Sequence, residues 1–105
     1  MEYTLVFDKE FVKDFNKLDK SIRIEVEKKL KKLKENPREI GKPLRYFGNL
    51  YEFYVQMYRV FYVIEESRVK VLVLAIEHKD NTDKYLRQLS KEEISDRLSN
   101  ISKNL

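Results

Sequence analysis

YEFYVQM (51–57), YRVFYVI (58–64), EESR (65–68), VKVLVLAI (69–76) and EHKDNTDKY (77–85) follow one another without a break, and this stretch decides the fold. The first two segments alternate apolar and polar positions, the period of two that a half-buried pleated surface selects. Phe53, Val55 and Met57 fall on one face of the first segment, with Glu52, Tyr54 and Gln56 on the other. In the second, Tyr58, Val60, Tyr62 and Ile64 oppose Arg59, Phe61 and Val63. EESR is a turn. VLVLAI does not alternate at all, as expected of a strand buried on both faces at the centre of a sheet. One sheet face must meet helices. The other is then a concave, aromatic and part-polar surface bearing Arg59, and aromatic and cationic groups on such a face stack bases and hold phosphates. Arg59, His78, Lys79 and Tyr85 gather at the strand ends as candidate chemistry.

Upstream, EYTLVF (2–7) alternates as a first strand, and Asp8 reads as a helix cap. Phe11, Phe15 and Leu18 give a short helix one apolar face. Asp19 reads as the next cap, before a longer stripe of Ile22, Val26, Leu30 and Leu33. These two segments make a helical hairpin that Asn36-Pro37 ends, because a residue before proline avoids helical geometry. Residues 37–49 hold both prolines and both glycines and form the one long loop, with a short strand or turn expected around Leu44–Phe47. Downstream, residues 81–89 make a short helix carrying Tyr85. Ser90 and Glu93 have capping-box spacing for a last helix, striped by Ile94, Leu98, Ile101 and Leu105. The expected architecture is α+β: one domain over residues 1–105, order β-α-α-β-β-β-α-α. The helical hairpin packs on one face of an antiparallel twisted sheet, and residues 90–105 form a C-terminal helical extension.

Composition narrows the classes. With 105 residues, 42% hydrophobic and 38% charged, the chain is expected to be one soluble globular domain rather than a disordered or membrane-spanning one. No apolar run approaches the roughly 18–20 residues a spanning helix needs. The first residues lack a signal-peptide pattern, so the expected location is the cytoplasm. The absence of cysteine excludes disulfides, a thiol nucleophile and a thiolate metal site. The net charge of +4 is unevenly spread: from Lys20 to Arg45 ten basic residues face four glutamates. That stripe fits a polyanion, with Lys42 and Arg45 nearest the strands, or it is simply a solvated helix face.

The order and spacing of FDKEFVKDFNKLDKSIRIEVEKKLKKLKENP (7–37), KPLRYFGNLYEF (42–53), MYRVFYVIEESRVKVLVLAIEHK (57–79) and DKYL (83–86) resemble the RelE/ParE superfamily of toxins from type II toxin–antitoxin systems. The resemblance covers nearly the whole chain. Its RelE branch implies an endoribonuclease that needs neither metal nor cofactor and cuts messenger RNA in the ribosomal A site. There the ribose 2′-OH attacks the adjacent phosphate. Such chemistry requires a proton acceptor, a cation on the developing phosphorane and an acid for the leaving 5′-oxygen. By this resemblance Arg59 is the phosphate clamp, Lys79 stands where an arginine is usual, and Tyr85 matches the tyrosine that orients the nucleotide or assists proton transfer. His78 stands just before the expected cation, with a reference pKa near 6.5. The resemblance also implies a cognate antitoxin, joined to the toxin in a hetero-oligomer.

Two departures stand out. Relatives carry two lysines, one position apart, on the strand that here holds Glu52 and Tyr54. Glu52 is either a general base or a structural ion-pair partner of Arg59, and Tyr54 is placed to stack a base. Lys79 lacks arginine's planar, bidentate grip. Two other readings stay open: a ParE-like, non-enzymatic inhibitor of DNA gyrase, and a degenerate toxin that only binds its antitoxin.

Overall fold

A computed structural model of the chain describes residues 2–44, 48–89 and 101–102. Its strands are β1 (Thr4–Asp8), β2 (Lys42–Pro43), β3 (Leu50–Val55), β4 (Tyr58–Glu65), β5 (Lys70–His78) and β6 (Ile101–Ser102). They form one sheet in the order β2-β3-β4-β5-β1-β6. The helices are α1 (Lys9–Phe15), α2 (Lys20–Leu33), α3 (Pro37–Ile40) and α4 (Thr82–Gln88). Single-turn 3-10 segments cover Glu66–Arg68 and Lys79–Asn81. Among the described residues, no helix is long and apolar enough to cross a membrane.

The apolar run 71–76 is β5, and every residue in it is buried. It lies between β4, antiparallel, and β1, parallel in the register Thr4↔Lys70 to Phe7↔Val73. The sheet is therefore mixed rather than wholly antiparallel. Alternation in 2–7 reveals a strand but carries no information on the direction of its partner. Asp8 ends β1 and caps α1, its Oδ1 accepting from the Glu10 N–H at 2.8 Å. Phe7, Phe11 and Phe15 then stack in series, with centroids 5.7 and 5.5 Å apart. In α2 the residues Val26, Leu30 and Leu33 are buried, as their spacing requires. Asp19 occupies the cap position of α2, but its side chain makes no cap bond; its carbonyl accepts from the N–H groups of Ile22 and Arg23.

Pro37 ends the hairpin by starting α3, a position where its missing N–H is harmless. A short strand occupies Lys42–Pro43, on the sheet edge where proline is tolerated, while the strand or turn expected around Leu44–Phe47 falls mostly outside the described residues. Leu44 adds one further bond, N–H to the Leu50 carbonyl at 2.8 Å. Residues 45–47, Arg45 among them, lie outside the described residues. At the other end of β3, Gln56 and Met57 form the two-residue turn, with Gln56 at φ 52°. Met57 is thus exposed in that turn and does not join the core face.

The two faces of the sheet are both covered, unequally. Against the helices lie Phe53, Val55, Val60, Tyr62, Ile64, Val71, Val73 and Ile76, packed with Phe11, Phe15, Val26, Leu30 and Leu33. The opposite face carries a second cluster of Val6, Leu50, Phe61, Val63, Leu72, Leu74 and Ala75, closed by Leu89 with Tyr85 and Leu86 of α4. The concave surface is therefore not open along its length; only the end nearest the β3–β4 turn is polar. A bulge in β5 sets what is found there. Phe61 pairs with Ala75 but Tyr62 pairs with Val73, so Leu74 is the extra residue. Beyond it the alternation inverts: Ile76 joins the helix-side core and Ala75 the other.

The C-terminal helix expected from Ser90 falls mostly outside the described residues, including its capping pair and Ile94, Leu98 and Leu105. Ile101 and Ser102 are strand, not helix, and pair antiparallel with Asp8 and Phe7.

Candidate active site

The polar end of the second face is built by four strands, β2 to β5. Cross-strand register sets Lys42 opposite Glu52, Tyr54 opposite Arg59, and Arg59 opposite Glu77. Directly opposed residues share a face, so Lys42, Glu52, Tyr54, Arg59 and Glu77 come together without any loop to position them.

Arg59 is held from three sides. Its guanidinium carbon lies 3.8 Å from the centre of the Tyr54 ring. Its Nε stands 3.8 Å from a Glu52 carboxylate oxygen. Its Nη1 approaches the Tyr58 carbonyl at 3.4 Å. The side chain remains 22% accessible, enough to meet a ligand from solvent. Lys42 places its Nζ 5.7 Å from the same Tyr54 ring centre. The backbone of Tyr54 is fixed in turn by Lys29 of α2, whose Nζ donates to the Tyr54 carbonyl at 2.7 Å.

Glu52 is 8% exposed, with Asp8 one of two charged residues so covered among those described. Burial raises its carboxyl above the ordinary range, while Arg59, the Tyr54 hydroxyl and Lys42 pull it back. A carboxylate tuned in this direction is a better proton acceptor than an exposed one. Its backbone pairs with Lys42 of β2, which follows directly on α3 and Gly41. The Tyr62 hydroxyl, fully buried, donates to the Pro37 carbonyl at 2.6 Å and accepts from the Gly41 N–H. Gly41 is packed so closely that a Cβ there would lie 2.5 Å from both the Glu52 carbonyl and the Tyr62 hydroxyl.

Tyr85 reaches this face from α4. Its ring stacks on Phe61, centroids 4.9 Å apart at 29°, and Phe61 lies two residues along β4 from Arg59 on the same side. An open cleft of about 290 Å³ beside it is lined by Glu77, Asn81, Lys84, Tyr85 and Gln88. Lys79 begins the 3-10 turn after β5, its N–H donating to the Met57 carbonyl at 2.6 Å.

His78 is not brought into this group. Beyond the bulge it lies on the helix side, edge-on to Tyr58 with centroids 5.6 Å apart. Its Nδ1 accepts from the Asp80 N–H at 3.1 Å, capping the turn. Glu77 takes the place on the site face that strict alternation assigns to its neighbour. It is the residue that sequence reasoning misses, since nothing in VLVLAI signals the extra residue.

What remains is a compact α+β domain: a small mixed sheet with a helical hairpin on one face and a cation-and-carboxylate cluster on the other. A family model described as the ParE toxin of the type II toxin–antitoxin system, parDE, matches residues 5–83, and the chain belongs to that family. The mRNA interferase toxin RelE of Escherichia coli (strain K12) is 29% identical over 87 residues, spanning 81% of this chain and 92% of that protein. Among solved structures, a double mutant of E. coli toxin RelE in the free state superposes with a TM-score of 0.71 at 30% identity, covering 85% of this chain and 100% of that one. The toxin–antitoxin complex RelBE2 from Mycobacterium tuberculosis gives a TM-score of 0.67 at 28% identity, covering 74% of this chain and 99% of the matched chain.

Proposed function

We propose that the protein is the toxin of a type II toxin–antitoxin pair, a cytoplasmic endoribonuclease that cuts messenger RNA at the ribosomal A site. The observation that carries this is Arg59: part-exposed, set against Tyr54 and Glu52, with Tyr85 stacked on Phe61, two residues along β4 on the same face. The curated relative that is an mRNA interferase supports it. In this reading the Glu52 carboxylate takes the proton of the ribose 2′-OH, and the freed oxygen forms a bond to the adjacent phosphorus. Arg59 meets the charge that develops on the phosphorane. The bond from phosphorus to the 5′-oxygen then breaks, and the Lys79 ammonium gives the leaving oxygen its proton. Tyr85, supported by Phe61, orients the nucleotide. The products are a 2′,3′-cyclic phosphate and a 5′-OH, and DNA, lacking the nucleophile, is not a substrate. His78, turned to the helix side, has no part in these steps.

The partner in this reading is a cognate antitoxin, as in the RelBE2 complex. The basic stripe of α2 would suit acidic segments on such a partner. Purified toxin freed of antitoxin, added to translating ribosomes, is expected to cut messenger in phase with codons, as primer extension reads out. A second reading, non-enzymatic inhibition of DNA gyrase, is favoured by one observation: Arg59 already pairs with Glu52, as a purely structural arginine does. A folded protein that leaves messenger intact but blocks supercoiling would establish that reading instead.

A further inference from the structure

We infer that Tyr54 is a positioning residue, and that its ring holds the Arg59 guanidinium and the Lys42 ammonium as a two-cation clamp for the scissile phosphate. The inference rests on the ribonuclease reading. From the sequence Tyr54 is a platform for a nucleobase, but the ring is already in van der Waals contact with a guanidinium at 3.8 Å. A base stacking there displaces Arg59 from the position the clamp needs.

The ring decides the plane of Arg59. Glu52 approaches only Nε, at a loose 3.8 Å, and one ion pair leaves a guanidinium free to turn about that contact. A ring laid against the fork removes that freedom, and a guanidinium of fixed plane offers parallel N–H groups to a phosphate. The backbone that carries the ring is fixed, because Tyr54 lies directly across from Arg59 in the ladder and its carbonyl accepts from Lys29.

Charge explains the second cation. Glu52 and Glu77 flank Arg59 on the neighbouring strands, so Arg59 alone leaves this face unfavourable to a phosphate. Lys42, opposite Glu52 on the edge strand and drawn to the Tyr54 ring, restores positive charge on the side away from β5. A short strand at the sheet edge thereby acquires a reason to sit at Lys42–Pro43.

The test compares Tyr54→Phe, Tyr54→Leu and Lys42→Gln, each first checked for an unchanged melting temperature. On translating ribosomes Tyr54→Leu is expected to lose about tenfold in kcat with KM within about twofold of wild type, while Tyr54→Phe, which keeps the ring and loses only the hydroxyl's hydrogen bond to Glu52, stays within about threefold. Lys42→Gln is expected to lose about tenfold in kcat/KM and to respond less steeply to salt. Independently of activity, the Arg59 Hδ protons are expected upfield in the NMR spectra of wild type and Tyr54→Phe, through the ring current, and at ordinary positions in Tyr54→Leu. Full kcat in Tyr54→Leu, an equal loss in Tyr54→Phe, or unshifted Arg59 protons in wild type would overturn the inference. A wild type that cuts nothing overturns the ribonuclease reading, and with it the clamp on a scissile phosphate. The Arg59 resonance then reports only whether the ring holds that side chain.

Discussion

Gly41→Ala is the sharpest structural test, because one methyl group meets two immovable neighbours. The added carbon would lie 2.5 Å from the Glu52 carbonyl oxygen and 2.5 Å from the Tyr62 hydroxyl, against 3.4–4 Å for ordinary contact. The first is backbone in a paired strand. The second belongs to a side chain with no exposed surface, tied to the Pro37 carbonyl at 2.6 Å. Neither swings aside, so the α3–β2 segment must move outward by about 1 Å. That shift breaks the Lys42↔Glu52 and Pro43↔Tyr51 pairing and strains the Tyr62–Pro37 bond. Overpacking of this kind costs about 2 kcal/mol, which for a domain of this size lowers Tm by about 10 °C. Circular dichroism during thermal unfolding measures it. Tyr62→Phe alone is expected to cost about 1–2 kcal/mol by orphaning the Pro37 carbonyl. The double variant is expected to cost less than the two together, since the phenylalanine also removes one of the clashes. A Gly41→Ala protein melting within about 2 °C of wild type, or a strictly additive double variant, would refute the packing described for α3 and β2.

Three further outcomes follow from local geometry. Asp8→Ala removes the cap of α1 and is expected to cost about 1–2 kcal/mol in urea unfolding; an unchanged midpoint would contradict the cap. Val69, a β-branched residue at φ 52° and ψ 48°, closes the turn before β5 in a left-handed conformation, so Val69→Gly is expected to raise Tm by about 3 °C; a fall of similar size would show that the lost side-chain contacts outweigh the strain. Glu52, with its carboxyl raised by burial above the ordinary 4.5, holds its proton more tightly in the folded chain than in the unfolded one. Its contribution to stability is thus full below the ordinary value and is lost as pH rises through the raised one. The Tm of Glu52→Gln minus that of wild type is therefore expected to grow from about pH 4 to about pH 7, and a difference flat in pH would contradict the burial effect.

Much of this fold is legible in the sequence because alternation within 51–55 and within 58–64 survives in the structure, broken only by the turn at Gln56–Met57. Phe53, Val55, Val60, Tyr62 and Ile64 do face the helices, and Glu52, Tyr54, Arg59 and Phe61 the other side. The unbroken run 71–76 also marks a strand covered on both faces. That same property hides the bulge: where every position is apolar, an inserted residue leaves no trace in the pattern. One extra residue at Leu74 is enough to exchange His78 for Glu77 at the site. The parallel pairing of β1 is equally invisible, since it depends on chain path rather than on residue type. Lys42 and Tyr54 are named by the sequence as nucleic-acid contacts, but the approach of Lys42 to the Tyr54 ring depends on β2 at 42–43 pairing with β3, which the loop composition does not signal.

The most direct test of the Arg59 site is the chemistry of the cut ends. Messenger recovered from translating ribosomes after exposure to the antitoxin-free protein should carry 2′,3′-cyclic phosphates at codon-phased positions. These ends are captured by a ligase that accepts only that terminus. Arg59→Ala, folded as judged by its melting, should yield about a hundredfold fewer of them. Fragments ending in 3′-hydroxyls, or an Arg59→Ala protein that cuts as well as wild type, would contradict the account.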